Sequence, residues 1–372
     1  MKVLFISSWY PNSVNPLKGV FVKKHAAAIK AAGVDIQVLA ITVSPSLNTF
    51  EKKIYRNTDE HGIVTHQIEL NSRFYKWIHL NLFFQYRVIS GYIDKILIPE
   101  FKPDIVHSNV LYPAGLLGYK ISKHYKLPHI ITEHWSKVDK FMKSSLFSYL
   151  GKKAYNNASA ITVVSNYLKE NISKHVSNDS IIRVIPNVVN TDIFKYSEKP
   201  GTHEGLTFSC VAHWTAPKRP DLIFNALQQF AETIEKKITL NVIGEGVLIQ
   251  ELKGIKWNFS VNYLGNLKPE DLAKVLQNSD YFLHASDIET FSIVIAEALS
   301  TGIPVLASNV GAIPELINET NGLVCNNQLQ DWVNSLNVLV KNKSFDHKKI
   351  SETSNKYSLA QIGKEFKSLY EK

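Results

Sequence analysis

Two carboxylates, Glu289 and Glu297, lie in the run Asp287-Ile288-Glu289-Thr290-Phe291-Ser292-Ile293-Val294-Ile295-Ala296-Glu297-Ala298-Leu299. If the segment is helical, eight residues rise about 12 Å, comparable to the reach from a hexose through a diphosphate to a ribose. In such a pose the free amides of Phe291, Ser292 and Ile293 open the helix and take phosphate oxygens, with the helix dipole assisting. Glu297 would accept hydrogen bonds from ribose hydroxyls and Glu289 would meet the sugar. The spacing alone is more often that of two surface glutamates. Against this, Glu297 lies among Ile293, Val294, Ile295, Ala296, Ala298 and Leu299, where a carboxylate without a partner is costly.

Two carboxylates repel a diphosphate, so such a site needs positive charge. Lys218 and Arg219 supply it after the apolar run Phe208–Ala212, and cations at a helix start oppose its dipole, which favours an anionic ligand. Asp287-Ile288-Glu289 also has the spacing to hold Mg²⁺ beside a nucleotide diphosphate. Gly-x-Ser-x-Gly is absent, which excludes a nucleophile-elbow hydrolase, and Gly244-x-Gly246 lacks the third glycine of a dinucleotide fingerprint. His107 and His134 each end an apolar run; at a strand end a histidine is more often structural.

The elements that must position these groups are legible as short β-branched runs separated by amphipathic segments. In the first half the runs are Val3–Ile6, Ile36–Ile41, Ile63–Ile68, Ile105–His107, His129–Thr132, Ile161–Val164 and Ile181–Ile185, with helices expected at Val20–Ala32, Tyr112–Tyr125 and Asn166–His175. The second half repeats the alternation with Leu206–Ala212, Thr239–Ile243, Val261–Leu264, Tyr281–Ala285 and Pro304–Ala307, and with helices near 219–235, 269–278, 291–300 and 328–341. The pattern predicts an α/β protein of two Rossmann-like doubly wound domains, 1–190 and 200–356, facing one cleft lined by both sets of βα loops. Asn187 to Gly205 reads as the linker. A last helix, 357–372, is expected to pack back on the first domain.

The chain's 372 residues, 45% hydrophobic and 20% charged, are those of a globular protein with more than one core. Two cysteines, Cys210 and Cys325, are too few for a disulfide framework and fit a reduced, cytoplasmic compartment. The four-residue apolar run near the N-terminus is too short for a signal peptide, and no run of about 18 apolar residues offers a membrane span. Charge is uneven: residues 1–200 hold 26 basic and 14 acidic side chains, or +12, and residues 201–372 hold 16 and 19, or −3. The basic half lacks finger spacing, RNP-like aromatics and an arginine-rich stretch, so nucleic acid is not the expected partner. An anionic membrane surface or a phosphorylated substrate fits better, and a solvated lysine-rich surface is the alternative.

The Glu289/Glu297 stretch resembles the Glu-x7-Glu motif of the retaining glycosyltransferases of family four, which have the GT-B fold. The resemblance extends through Gly302-Ile303-Pro304-Val305, Gly311 to Ile317 and Asn321-Gly322-Leu323-Val324, and upstream through Val242 to Gly246, Tyr263-Leu264-Gly265-Asn266, Ile185 to Asn190 and Lys18-Gly19-Val20-Phe21-Val22. It implies retaining transfer of a sugar from a nucleotide diphosphate sugar to a glycan or lipid-linked glycan, metal-independent and without a cofactor, in polysaccharide biosynthesis. It further implies that Lys218 binds the donor diphosphate, that Gly265 lies at the nucleobase, that Gly19 lies in the loop approaching the phosphates, and that His134 sits near the reacting sugar. The family usually has an arginine where this chain has His213. Either His213 hydrogen-bonds a phosphate or Arg219 takes over the second contact. A nucleotide-sugar epimerase or hydrolase of the same fold and a non-catalytic sugar-nucleotide-binding protein are the alternatives.

Segments 73–87 and 137–153 interleave aromatic and basic residues. They read either as interfacial helices on an anionic membrane or, for the first segment especially, as core.

Overall fold

The computed structural model describes residues 1–12, 14–198, 205–342 and 344–372. The expected linker therefore lies partly outside the described residues, at 199–204. The chain divides into two compact units, Met1–Val188 with Leu359–Lys372, and Val189–Ser358.

The first unit is built on eight strands: β1 (Lys2–Ser7), β2 (Asp35–Pro45), β3 (Glu51–Thr58), β4 (Val64–Ser72), β5 (Ile105–Asn109), β6 (His129–Glu133), β7 (Ala160–Val163) and β8 (Ile182–Val184). Their order is β3-β4-β2-β1-β5-β6-β7-β8. The central strands are parallel and buried on both faces, which is why they read as unbroken β-branched runs; Val3 pairs with Ile36 on one side and with Ile105 on the other. β3 escaped the sequence reading. It is the antiparallel edge strand, mostly exposed, and Lys52, Lys53 and Arg56 break its apolar pattern, as befits an edge that must not recruit another chain.

The helix Val20–Ala31 is alanine-rich on its buried face and receives the C-terminal helix Leu359–Tyr370. A side chain at Gly363 would meet the Ala28 carbonyl at 2.3 Å, so glycine sets how closely these helices approach. Ile362, Phe366 and Tyr370 join Val22, Ala26 and Ile29 in one core.

The second unit carries β9 (Leu206–Val211), β10 (Ile238–Ile243), β11 (Ser260–Gly265), β12 (Tyr281–His284), β13 (Val305–Ser308) and β14 (Gly322–Cys325), in the order β11-β10-β9-β12-β13-β14. All pairs are parallel. β14 is hidden in sequence because it begins on a glycine: a Cβ at Gly322 would stand 2.1 Å from the Val305 carbonyl. Phe208, Trp214, Phe224, Phe230 and Trp332 fill the core beneath.

The expected helix at 291–300 begins only at Ile293, because Ser292 takes the left-handed conformation (φ 68°, ψ 82°). Glu289 to Ser292 is thus not helical. The helical rise that suggested a 12 Å span covers only the second half of the Glu-x7-Glu spacing.

Candidate active site

In the second sheet β9 has β10 on one side and β12 on the other, so chain order reverses there, and ligands of such sheets bind beyond the carboxyl ends at that reversal. The loop leaving β9 is stitched to the loop leaving β12. Arg219 N donates to Ala285 O (3.0 Å), Asp287 N donates to Pro217 O (2.9 Å), and Lys218 bridges Ser286. This stitching brings Lys218 onto Glu289 across 71 residues of chain, Nζ donating to Oε1. His284, the last residue of β12, donates Nε2–H to the same oxygen at 2.8 Å, and Lys218 Nζ lies 3.5 Å from that nitrogen. The Glu289 backbone is fixed from behind by the Ala312 amide (3.0 Å) and by Gly311, where a Cβ would be 2.1 Å from the Glu289 carbonyl.

Burial alone would raise the Glu289 carboxyl, but the His284 hydrogen bond and the Lys218 ammonium outweigh it and bring it down to about 2. Burial and the Lys218 charge push the His284 imidazolium below its ordinary range, so His284 stays neutral. The cluster therefore holds one cation against one anion, within reach of the N-terminus of the helix Ile293–Ser300, which no side chain caps. His284 is a site residue that sequence reasoning missed. It ends a buried apolar strand and carries no motif, and its place at the sheet reversal was the one available signal.

The remaining expected residues fall in separate places. Arg219 commits its guanidinium to Asp221 (Nε to Oδ1 3.0 Å) and Asp287 (Nη1 to Oδ1 3.3 Å), stays firmly protonated between them and braces the loop that carries Lys218. His213 is exposed at the end of β9. Asn327 Nδ2 donates to Asp287 Oδ1 (3.2 Å), so Asp287 and Glu289 turn to different partners. Among the described residues no group of three or more His, Cys, Asp or Glu side chains is placed to hold a metal ion.

Phe291 buries its ring edge-on against Tyr357 at 5.2 Å, leaving only its backbone to a ligand. Glu297 is buried within its helix. Gly265 is left-handed, and its carbonyl accepts from the Gly244 amide (2.7 Å), tying the end of β11 to the glycine turn after β10.

In the first unit, Gly19 is left-handed before the helix Val20–Ala31, and a Cβ there would lie 2.1 Å from the Trp9 carbonyl. His134 is buried beside Phe21 (4.8 Å between ring centroids) and His25 (5.3 Å), with Nε2 3.4 Å from Asn109 Oδ1. His107 does not end its strand: it lies inside β5 in the sheet core, Nδ1 2.5 Å from the Tyr370 hydroxyl and Nε2 2.6 Å from Thr132 Oγ1. Burial pushes His134 and His107 well below the ordinary imidazole range, His25 to about 4 and His129 to about 3. Burial also raises the Glu133 carboxyl to about 7, although Tyr155 and the Leu111 amide donate to it.

These groups give stability a definite pH dependence. The unfolded chain protonates its histidines near 6.5 while the fold keeps them neutral, so their contribution to stability is full above about 6.5. It falls at about 1.4 kcal/mol per pH unit for each of His25 and His129 as pH drops toward 4. Glu133 acts oppositely, because its folded value is raised. Its contribution is present below about 4.5 and lost as pH climbs through 7, so it partly cancels the histidines. Thermal melting from pH 7 to 5 is expected to show a falling midpoint, and Glu133→Gln to steepen that fall. A midpoint that rises toward pH 5 contradicts the neutral histidines.

Residues 19–193 match the family Glycosyltransferase Family 4, and residues 192–356 match Glycosyl transferases group 1. An uncharacterized glycosyltransferase of Methanocaldococcus jannaschii is 25% identical over 365 residues, covering 96% of this chain and 93% of that protein. A Bacillus subtilis protein described as a teichuronic acid biosynthesis glycosyltransferase is 25% identical over 342 residues, covering 87% of this chain and 85% of that one. An Anabaena protein solved in complex with UDP and glucose superposes with a TM-score of 0.73 at 16% identity, over 100% of this chain and 99% of that one. With a parallel α/β unit on either side of residue 189 and two adjoining family matches spanning 19–356, the chain is a GT-B glycosyltransferase of group 1.

Proposed function

We propose that the protein transfers a hexosyl group, with retention, from a nucleoside diphosphate sugar to a hydroxyl of a glycan or lipid-linked glycan in cell-surface polysaccharide assembly. The observation that carries this reading is the Lys218–Glu289–His284 cluster at the reversal point of the second sheet, beside an uncapped helix N-terminus. The bond between the anomeric carbon and the diphosphate oxygen breaks, the acceptor oxygen bonds to that carbon on the same face, and the acceptor's proton leaves on the departing diphosphate. Charge grows on the leaving group, so the largest contribution of this chain is the fixed positive potential of Lys218 and the amides near Ile293. The binding of UDP by the Anabaena neighbour and the teichuronic acid role of the Bacillus relative support the donor and pathway classes. No metal is required in this reading, since Lys218 and the helix amides carry the counter-charge.

The test is thermal stabilisation by a panel of nucleoside diphosphates and their sugars in EDTA. A ligand at 100 times its dissociation constant adds about 2.7 kcal/mol. Glu297→Ala is expected to weaken the best ligand by about 1–3 kcal/mol through lost ribose hydrogen bonds. Stabilisation that needs added Mg²⁺ would restore the Asp287/Glu289 metal site, turnover without acceptor would make the enzyme an epimerase or hydrolase, and binding with no turnover a sugar-nucleotide-binding protein.

No helix among the described residues is long and apolar enough to cross a membrane. We place the enzyme at the cytoplasmic face of a membrane, held there by the +12 of residues 1–200.

A further inference from the structure

Segments 73–87 and 137–153 do not form two continuous interfacial helices. The first breaks at Asn81, whose side chain caps Phe84, into helices Tyr75–Leu80 and Leu82–Tyr92. The second yields Val138–Phe141 and Ser145–Asn156. Within 73–87 the core reading holds for the aliphatic Ile78 and Leu82, which are buried, and is wrong for Trp77, Leu80 and Phe83, which are 55%, 58% and 67% exposed. The two segments, some 60 residues apart in sequence, converge with the helix Leu116–Tyr125 on one groove of about 550 Å³. Trp77, Leu80, Phe83, Leu116, Leu146 and Phe147 supply its apolar walls.

Two cations line the same groove and no acid does. Lys120 stacks over the Phe83 and Tyr86 rings at 5.4 Å, Lys153 lies over Tyr149, and neither forms an ion pair among the described residues. Burial lowers Lys120, the direction expected of an ammonium lacking a counter-ion. The surroundings agree: 73–87 contains Arg73, Lys76 and Arg87 with no acid, and 137–153 contains five lysines and one acid, Asp139, which His175 occupies at 2.6 Å. A concave apolar site of this size with a few convergent polar groups is built for a ligand, and exposed apolar surface rimmed by polar groups marks a binding face.

We propose that this groove seats one hydrocarbon chain of an anionic lipid acceptor, its phosphate held at the mouth by Lys120 and Lys153. The inference deepens, and rests on, the glycosyltransferase reading above, choosing a lipid phosphate over a water-soluble glycan as the acceptor. The chain leaves water along the aromatic walls, and the lysine stems lie on the same apolar surface while their heads meet the phosphate.

The probe is n-decyl phosphate below its micelle-forming concentration, titrated calorimetrically into the full chain beside n-decanol and uridine and guanosine diphosphates. Saturable one-site binding of decyl phosphate is expected. Leu116→Trp, which fills the groove, and Leu146→Asp, at its exposed rim, should each weaken it at least tenfold. Lys120→Ala/Lys153→Ala should weaken decyl phosphate at least tenfold and leave decanol unchanged. These two side chains lie outside the core, so this variant keeps the fold, and its melting midpoint and nucleotide binding serve as the check.

Absence of saturable binding, equal binding by all variants, or decanol binding as tightly as decyl phosphate overturns the proposal. So does flotation with phosphatidylglycerol vesicles that tracks these variants while monomeric decyl phosphate shows no saturation, since the face would then contact a bilayer. A protein that binds a nucleoside diphosphate but no decyl phosphate loses the groove alone. One that binds decyl phosphate but no nucleoside diphosphate loses the donor reading instead.

Discussion

Glu289→Gln is expected to tighten nucleoside diphosphate binding severalfold while lowering turnover about a hundredfold, a separation that follows from the ion pair with Lys218. In the free protein the ammonium is neutralised by the carboxylate beneath it, so an incoming diphosphate competes with Glu289 for the same cation. Glutamine retains an acceptor for the His284 Nε2–H and removes the competing charge. In the proposed reaction Glu289 faces the sugar, so turnover falls when its charge is lost, and misplacement near a reacting centre costs on the order of 100-fold. Because the carboxyl of Glu289 is held near 2, its ionisation leaves no limb in the pH–rate profile between pH 5 and 9. Titration calorimetry and initial rates read the two effects separately. Parallel loss of binding and rate would show that Glu289 helps to hold the diphosphate and does not compete for Lys218.

That competition was not legible in the sequence. Two glutamates beside a diphosphate demand a cation, and Lys218 follows the run Phe208–Ala212 that marks a central strand. Nothing local could show that residues 217–219 bridge back to 285–287, because such pairing across the sheet reversal is long-range. Ser292 shows a second limit. Its left-handed backbone shortens the helix and undoes the even spacing from Glu289 to Glu297, and no glycine marks the position.

The parallel strands were legible because burial on both faces leaves a continuous apolar run, as in Val3–Ile6 and Ile36–Ile41. β3 and β14 were not: an exposed edge strand need not be apolar, and a strand opening on glycine looks like a turn. The amphipathic segments misled in a third way. Their apolar residues divide between buried and exposed within single helical turns, as Trp77 beside Ile78 and Phe83 beside Leu82 show, and only tertiary packing decides which neighbour is buried.

Lys218→Ala carries the other large effect, and its meaning lies in the pair. Alone, it removes the charge that meets the leaving group in the proposed reaction and leaves the buried Glu289 carboxylate with the His284 imidazole as its side-chain partner. Diphosphate binding should weaken about 10- to 100-fold and turnover fall 10²- to 10³-fold, the scale for losing one preorganised donor. Stability should also fall, because a buried carboxylate has lost its counter-charge. Adding Glu289→Gln removes that carboxylate and should restore the melting midpoint. The double variant should nevertheless bind diphosphate more weakly than the wild type, since the cation is still missing. The coupling between two touching residues is then large in stability and incomplete in binding. Recovery of wild-type diphosphate affinity in the double variant would show that Lys218 serves only to neutralise Glu289, and the phosphate contact would pass to the helix amides and His213.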